Sequence, residues 1–239
     1  MKKWQDPVFI PPEERAPLLL PDGAFKLLFI GNSITCHGIS ERYHWYGEYG
    51  MAASCRERDY VSLTGKWVET QLFPRPVVIC RGNVNKLLAL ENGSSDPMKT
   101  LGNVIFEPDL IILQTGEHEG PEQTAEIIRK NYCEKLLEPL LAIRSRPAIA
   151  AVGLWCPVDN GVYPVWAERI DDIYREECAA RDIPFGSVRH LAEEPACRGY
   201  GDFPEVRWHP DDSGMRGYAE TVISLITDGD LLNRKRNCR

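Results

Sequence analysis

Hydrophobic positions along the chain gather into five short runs rich in branched side chains, at 26–31 (KLLFIG), 76–80, 109–115, 147–154 and 183–188. The middle three are apolar throughout, the pattern of strands covered on both faces and hence of a parallel sheet. Between the runs, apolar residues recur at helical spacing over 50–71, 84–91, 123–144, 163–181 and 213–226. In the third of these stretches Ile128, Tyr132, Leu136, Leu137, Leu140 and Leu141 share a face, and Pro139 is expected to kink it. In the fourth, Trp166, Ile170, Ile173 and Tyr174 form a similar stripe. Strand and helix alternating in this way predict right-handed crossovers and one doubly wound sheet. Residues 1–25, with Pro7, Pro11, Pro12, Pro17 and Pro21 and no periodicity, read as an extended arm ahead of a single domain over 26–239.

Composition narrows the function classes. The 239 residues are 43% hydrophobic and 26% charged, ordinary for a globular chain. A net charge of −7 disfavours binding to nucleic acid or to anionic membranes. No apolar run approaches the roughly 20 residues of a membrane span, and no apolar segment follows the basic start as a signal peptide would require. The eight cysteines include no C-x-x-C pair and read as reduced thiols, which with the missing signal suggests a cytoplasmic location.

Ligands of doubly wound sheets bind beyond the C-terminal ends of the strands, so the residues just after each run carry the interest. After the first stands Gly31-Asn32-Ser33-Ile34-Thr35. A serine there can present its hydroxyl above the sheet edge beside free backbone N–H groups, as a nucleophile needs. The same residues also suit a simple cap of the turn. After the second run Gly82 either lets its N–H approach a ligand or serves as a turn glycine. The third ends in Gly116-Glu117-His118-Glu119-Gly120, where His118 suits an oxyanion donor, a base, a metal ligand or a solvated loop residue. Near the C-terminus, His209 projects from a loop ahead of a helix that Asp211 or Asp212 can cap, and a histidine so placed suits a general base.

Taken in order, GNSIT, Gly82, the 116–120 block and HPDDSGM resemble the SGNH (GDSL-type) hydrolases, from about residue 26 to about 226. The resemblance implies a three-layer α/β/α sandwich with a central, mainly parallel five-stranded sheet, of flavodoxin-like type. It also implies hydrolysis of short-chain esters, often acetyl groups on sugars, with no metal or organic cofactor. By the same resemblance Ser33 is the nucleophile and His209 the general base, and the N–H groups of Ser33 and Gly82 with residue 118 line the oxyanion hole.

Three departures stand out. Asn32 replaces the family's Asp in the first block, and His118 replaces its Asn in the third. Val206 stands where the family places the acid that orients the histidine. Glu205 is the first substitute for that acid and Asp202 the second; a backbone carbonyl is the remaining alternative, in a serine–histidine dyad.

The loop after Ser33 carries His37, Tyr43, His44, Trp45 and Tyr46. Aromatic rings beside polar groups suit a sugar, whose apolar face stacks while its hydroxyls hydrogen-bond, or they clasp the loop to the body. Trp155 and Trp208 are expected to join Trp45 at one pocket. Asn32, Trp45, Glu117, Trp155 and Trp208 are accordingly the expected substrate contacts. His37 and His44 match no zinc spacing, so no metal site is expected. The expected activity is a serine esterase acting on an acylated small molecule or oligosaccharide. Acyl transfer by the same serine and a non-catalytic carbohydrate-binding or regulatory module are the alternatives. The oligomeric state, a homo-oligomer included, is left open.

Overall fold

The computed structural model describes residues 21–83, 107–158 and 162–234. Of the arm expected over 1–25, residues 1–20 lie outside the described residues, as does the helix expected over 84–91, and Phe25 already belongs to β1. Strand β1 (Phe25–Gly31) leads through a long loop to α1 (Tyr60–Leu72), then β2 (Val77–Asn83) and β3 (Leu110–Gln114). Next, α2 (Ala125–Lys130) runs through a π-helical turn (Asn131–Leu137) into α3 (Glu138–Leu141). The chain continues with β4 (Ala148–Val152), α4 (Val165–Ala179), β5 (Phe185–Gly186), α5 (Arg189–Ala192), α6 (Pro204–Trp208) and α7 (Asp212–Asp228).

All five strands are parallel, in the order β2-β1-β3-β4-β5. The continuous apolar runs have their cause here: β3 is buried at every position, and β1 at every position but Lys26. Helices α1 and α7 cover one face, where Tyr60 and Tyr218 meet at 5.6 Å. The helical stretch 125–141 and α4 cover the other, where Tyr132 stacks on Tyr174 at 3.7 Å. The result is the three-layer α/β/α sandwich.

Several boundaries differ from the sequence pattern for identifiable reasons. Over 50–71 the α-helix is α1, preceded by a 3-10 turn at Arg56–Arg58, because Asp59 caps it by accepting the Ser62 N–H at 2.7 Å. Pro139 has no N–H to return to the preceding turn, and the chain widens there into a π turn, with the Glu138 N–H bonding the Cys133 carbonyl. Strand β2 runs past Cys80 to Asn83, because its register with β1 is continuous as far as Gly31. Strand β5 shrinks to two residues behind Pro184, which has no amide for the ladder.

Strand β1 has β2 on one side and β3 on the other, so the winding reverses between β1 and β3. At such a point doubly wound sheets form a crevice beyond the C-terminal ends of the strands, the place where their ligands bind. Register brings Ile30 level with Gly82 on one side and Leu113 on the other.

One ion pair ties the crevice to the helical layer. Asp59 and Arg81 are both buried, and the Arg81 guanidinium donates to the Asp59 carboxylate and, at 3.0 Å, to Ser62 Oγ. Asp59 also accepts the Gly50 N–H at 3.2 Å. One carboxylate thus joins the start of α1, the end of β2 and the loop that follows Ser33. Replacing one partner strands the other charge in a low-dielectric interior. Arg81→Leu is therefore expected to lower the unfolding free energy by about 3–5 kcal/mol, measured by urea denaturation.

Candidate active site

The turn after β1 is organised by Asn32. Its carbonyl accepts the N–H groups of Thr35 and Cys36, both at 3.0 Å, and its Oδ1 accepts the Ile34 N–H at 3.0 Å. Of the amides over 33–36, that of Ser33 has no acceptor among the described residues. Gly31 is required at the base of this turn, since a Cβ there would meet the Gln114 carbonyl oxygen at 2.7 Å and the Thr35 side chain closer still.

Ser33 Oγ lies 2.6 Å from His209 Nε2. His209 ends α6, its own N–H held by the Val206 carbonyl at 3.1 Å and its carbonyl by the Gly199 N–H at 2.6 Å. Its Nδ1 lies 2.6 Å from the Glu205 backbone carbonyl. A carbonyl only accepts, so Nδ1 carries the proton, Nε2 is the acceptor, and the Ser33 hydroxyl donates to it. Burial pushes the imidazole down to about 4 against the opposing effect of the carbonyl bond, with His37 and His118 adding to the depression. At neutral pH the ring is neutral and already poised to take a proton.

Glu205 thus contributes through its backbone, not through the carboxylate expected of it, and its side chain is exposed. The Asp202 side chain is also exposed, on the wall of a neighbouring groove. Among the described residues no carboxylate bonds His209. Val206 fills a small apolar cluster with Trp45, Met51 and Ala52, which explains an apolar residue at that position.

The third block folds back onto the first. Gly116, at φ +128, turns the chain after β3 so that Glu117 reaches under the Ser33 turn. There the Glu117 carboxylate accepts from Asn32 Nδ2, from Gln114 Nε2 at 2.6 Å and from the Trp155 N–H at 2.7 Å. Burial pushes this carboxyl up to about 7, against the Trp155 and Asn32 bonds. The network continues away from the site. Thr35 Oγ1 donates to Gln114 Oε1 at 3.2 Å and lies 2.7 Å from the Tyr60 hydroxyl, which must donate to it.

These contacts revise the expected substrate contacts. Asn32 is buried with both ends of its amide engaged internally, and the Glu117 carboxylate is likewise committed. Trp155 is fully enclosed; its indole N–H bonds the Trp208 carbonyl at 2.5 Å. Trp45 is buried against Tyr49, so the three indoles do not converge. Trp208 alone stays partly exposed, edge-on to His209 at 5.2 Å. His118 is exposed on the turn after Gly116, and Gly82 is buried in β2 level with Ile30.

The sequence pattern missed two parts of the site. His37 sits near His209 and is edge-on to Tyr43 at 6.2 Å. A groove of about 420 Å³ runs between segments 43–49 and 200–206, walled by Tyr43, Tyr46, Tyr49, Tyr200, Phe203 and Asp202. The aromatic residues of the first loop signalled one wall; nothing local signals that the second loop faces it. Among the described residues no group of three or more metal-ligating side chains is gathered, and no helix is long and apolar enough to cross a membrane.

No family model matches the chain, and no curated protein matches its sequence. Solved structures do match its architecture. A family two carbohydrate esterase from Clostridium thermocellum, in complex with cellohexaose, superposes with a TM-score of 0.59 at 15% identity, over 88% of this chain and 66% of its own. An alpha/beta hydrolase from the metagenome of Lake Arreo, Spain, gives 0.57 at 16%, over 88% and 98%. A serine-to-alanine catalytic mutant of an acetylxylan esterase from Geobacillus stearothermophilus gives 0.57 at 17%, over 85% and 95%. The chain therefore shares the α/β/α fold of these structures.

Proposed function

We propose that the protein is a carboxylic ester hydrolase that removes short acyl groups, acetyl foremost, from a carbohydrate through an acyl-enzyme on Ser33. The observation that carries this reading is the Ser33–His209 contact at 2.6 Å, with the imidazole neutral and its tautomer set by the Glu205 carbonyl.

Ser33 Oγ attacks the ester carbonyl while its proton passes to His209 Nε2. The oxyanion forms against the Ser33 N–H, with His118 as the further donor the resemblance suggests; the Gly82 N–H is engaged in the β1–β2 ladder. Collapse expels the alcohol, which takes the proton from Nε2. Water then repeats the sequence on the acyl-enzyme and releases the acid. In a serine protease, loss of the orienting acid costs about 10⁴ in kcat because the wrong tautomer results. Here the carbonyl preserves the tautomer, so that part of the penalty does not arise. The imidazolium is steadied by a carbonyl dipole in place of a full charge.

The groove supports a carbohydrate leaving group. Two of its aromatic residues are open to solvent, Tyr46 at 68% and Tyr200 at 52%, with the Asp202 carboxylate beside Tyr200 and Phe203 for hydroxyls. The groove adjoins the dyad. Val206, on its wall, accepts the His209 N–H through its carbonyl, and Met51, in the same apolar cluster, donates its N–H to the Ser33 carbonyl at 2.9 Å.

With p-nitrophenyl acetate, Ser33→Ala and His209→Ala are each expected to lower kcat/KM by at least about 10³-fold, whereas Glu205→Gln leaves it unchanged. Equal background rates in wild type and Ser33→Ala on every ester would favour a non-catalytic binder. With an acetylated oligosaccharide, Tyr200→Ala is expected to raise KM about threefold to tenfold with little change in kcat. An unchanged KM would remove the groove from substrate binding.

A further inference from the structure

We propose that Glu117 is a positioning residue: its ionised carboxylate holds Asn32 in the arrangement that keeps the Ser33 turn competent for attack. This rests on the reading of Ser33 as a nucleophile.

Two of the three partners of Glu117 are donors that cannot reverse. The Asn32 amide is oriented by the Ile34 N–H on its Oδ1, so its Nδ2 must face Glu117. The Gln114 amide gives its Nε2 to Glu117 with the Thr35 hydroxyl on its Oε1, and this pair alone can turn over, because a hydroxyl both donates and accepts. The Trp155 donor is a backbone N–H. An amide in its place would set its NH2 against the Asn32 or the Trp155 donor and break a contact, and a protonated carboxyl holds Asn32 by a weaker, neutral hydrogen bond than the ionised one. The Asn32 end is the sensitive one, because Asn32 gathers three amides of the turn and leaves that of Ser33 unbound.

The surroundings explain why this carboxylate is also easily neutralised. Among the titratable groups facing it are Asp171 and Tyr174 on α4, Tyr163 just before it, Cys156 after β4, Tyr60 on α1 and Tyr218 on α7. Each is neutral or negative, and burial pushes the Glu117 carboxyl up to about 7. With its folded value above the ordinary carboxylate value, ionisation costs stability as pH rises through about 7. Activity and stability therefore respond in opposite directions: the site gains competence over the range in which this group weakens the fold.

The test is the rate at which a fluorophosphonate probe labels Ser33, followed by mass spectrometry from pH 5 to 9. In that reaction Oγ bonds phosphorus, fluoride leaves and the hydroxyl proton passes to His209. Wild-type labelling is expected to fall as pH drops through about 7. Glu117→Gln should label about 10-fold to 100-fold more slowly at pH 8, lack the limb near 7, and melt no lower than wild type at pH 8. Asn32→Ala cuts the link from the other end, and adding Glu117→Gln to it should slow labelling no further. A Glu117→Gln protein that labels like wild type, or keeps the limb, overturns the proposal, as do additive effects in the double variant. Ser33 labelling without ester turnover would fail the esterase reading and leave this one standing; no labelling of wild-type Ser33 overturns both.

Discussion

A single carboxylate, Glu117, closes the top of the sheet. It accepts hydrogen bonds from residues at the C-terminal ends of three strands: Asn32 after β1, Gln114 at the end of β3 and Trp155 after β4. Parallel strands leave such ends splayed where the winding reverses, and without a common acceptor these donors would be buried unpaired. The constraint fixes the distance between the first and third blocks of the chain, and with it the floor on which Ser33 stands. Gly31 and Gly116 permit the close approach, one by lacking a Cβ and the other by its positive φ.

The Ser33–His209 pair above this floor is oriented by main chain, not by a side-chain acid. His209 caps a short helix, and its Nδ1 reaches back four residues to the Glu205 carbonyl. A main-chain acceptor orients a ring as firmly as a side chain does and costs no rotamer entropy. It steadies an adjacent positive charge less than a carboxylate would, and burial makes the imidazole a weak base despite that bond. Freed from supplying an acid, position 206 is part of the apolar cluster beneath the aromatic groove. The same helical turn thus orients the base and shapes the neighbouring wall.

Two polar centres hold the surroundings rigid. Asp59 and Arg81 link the long loop, α1 and β2 on one side of Ser33, and the Glu117 network links β1, β3 and β4 on the other. Buried groups of this kind are stable only when all their partners are present, so each permits one arrangement of the backbone around it. Ser33 stands between the two.

The sequence by itself determined the alternation of strands and helices and the parallel sheet. Runs such as 109–115 must be covered on both faces, and periodicity records burial directly. It also marked Ser33 and His209 by the order of their motifs. The partners of those residues were not legible. Glu117 looked like a substrate contact and Glu205 like an orienting acid, because the residue type names a carboxylate without saying which atoms meet it. Trp45, Trp155 and Trp208 looked like one cluster, yet the fold buries the first two in separate places. Only tertiary structure decided that a backbone carbonyl, and not a side chain, orients His209, and that Tyr200 and Phe203 face Tyr43 across a groove. Such contacts join residues more than a hundred positions apart or use main-chain atoms that every residue shares, and neither leaves a mark in local pattern.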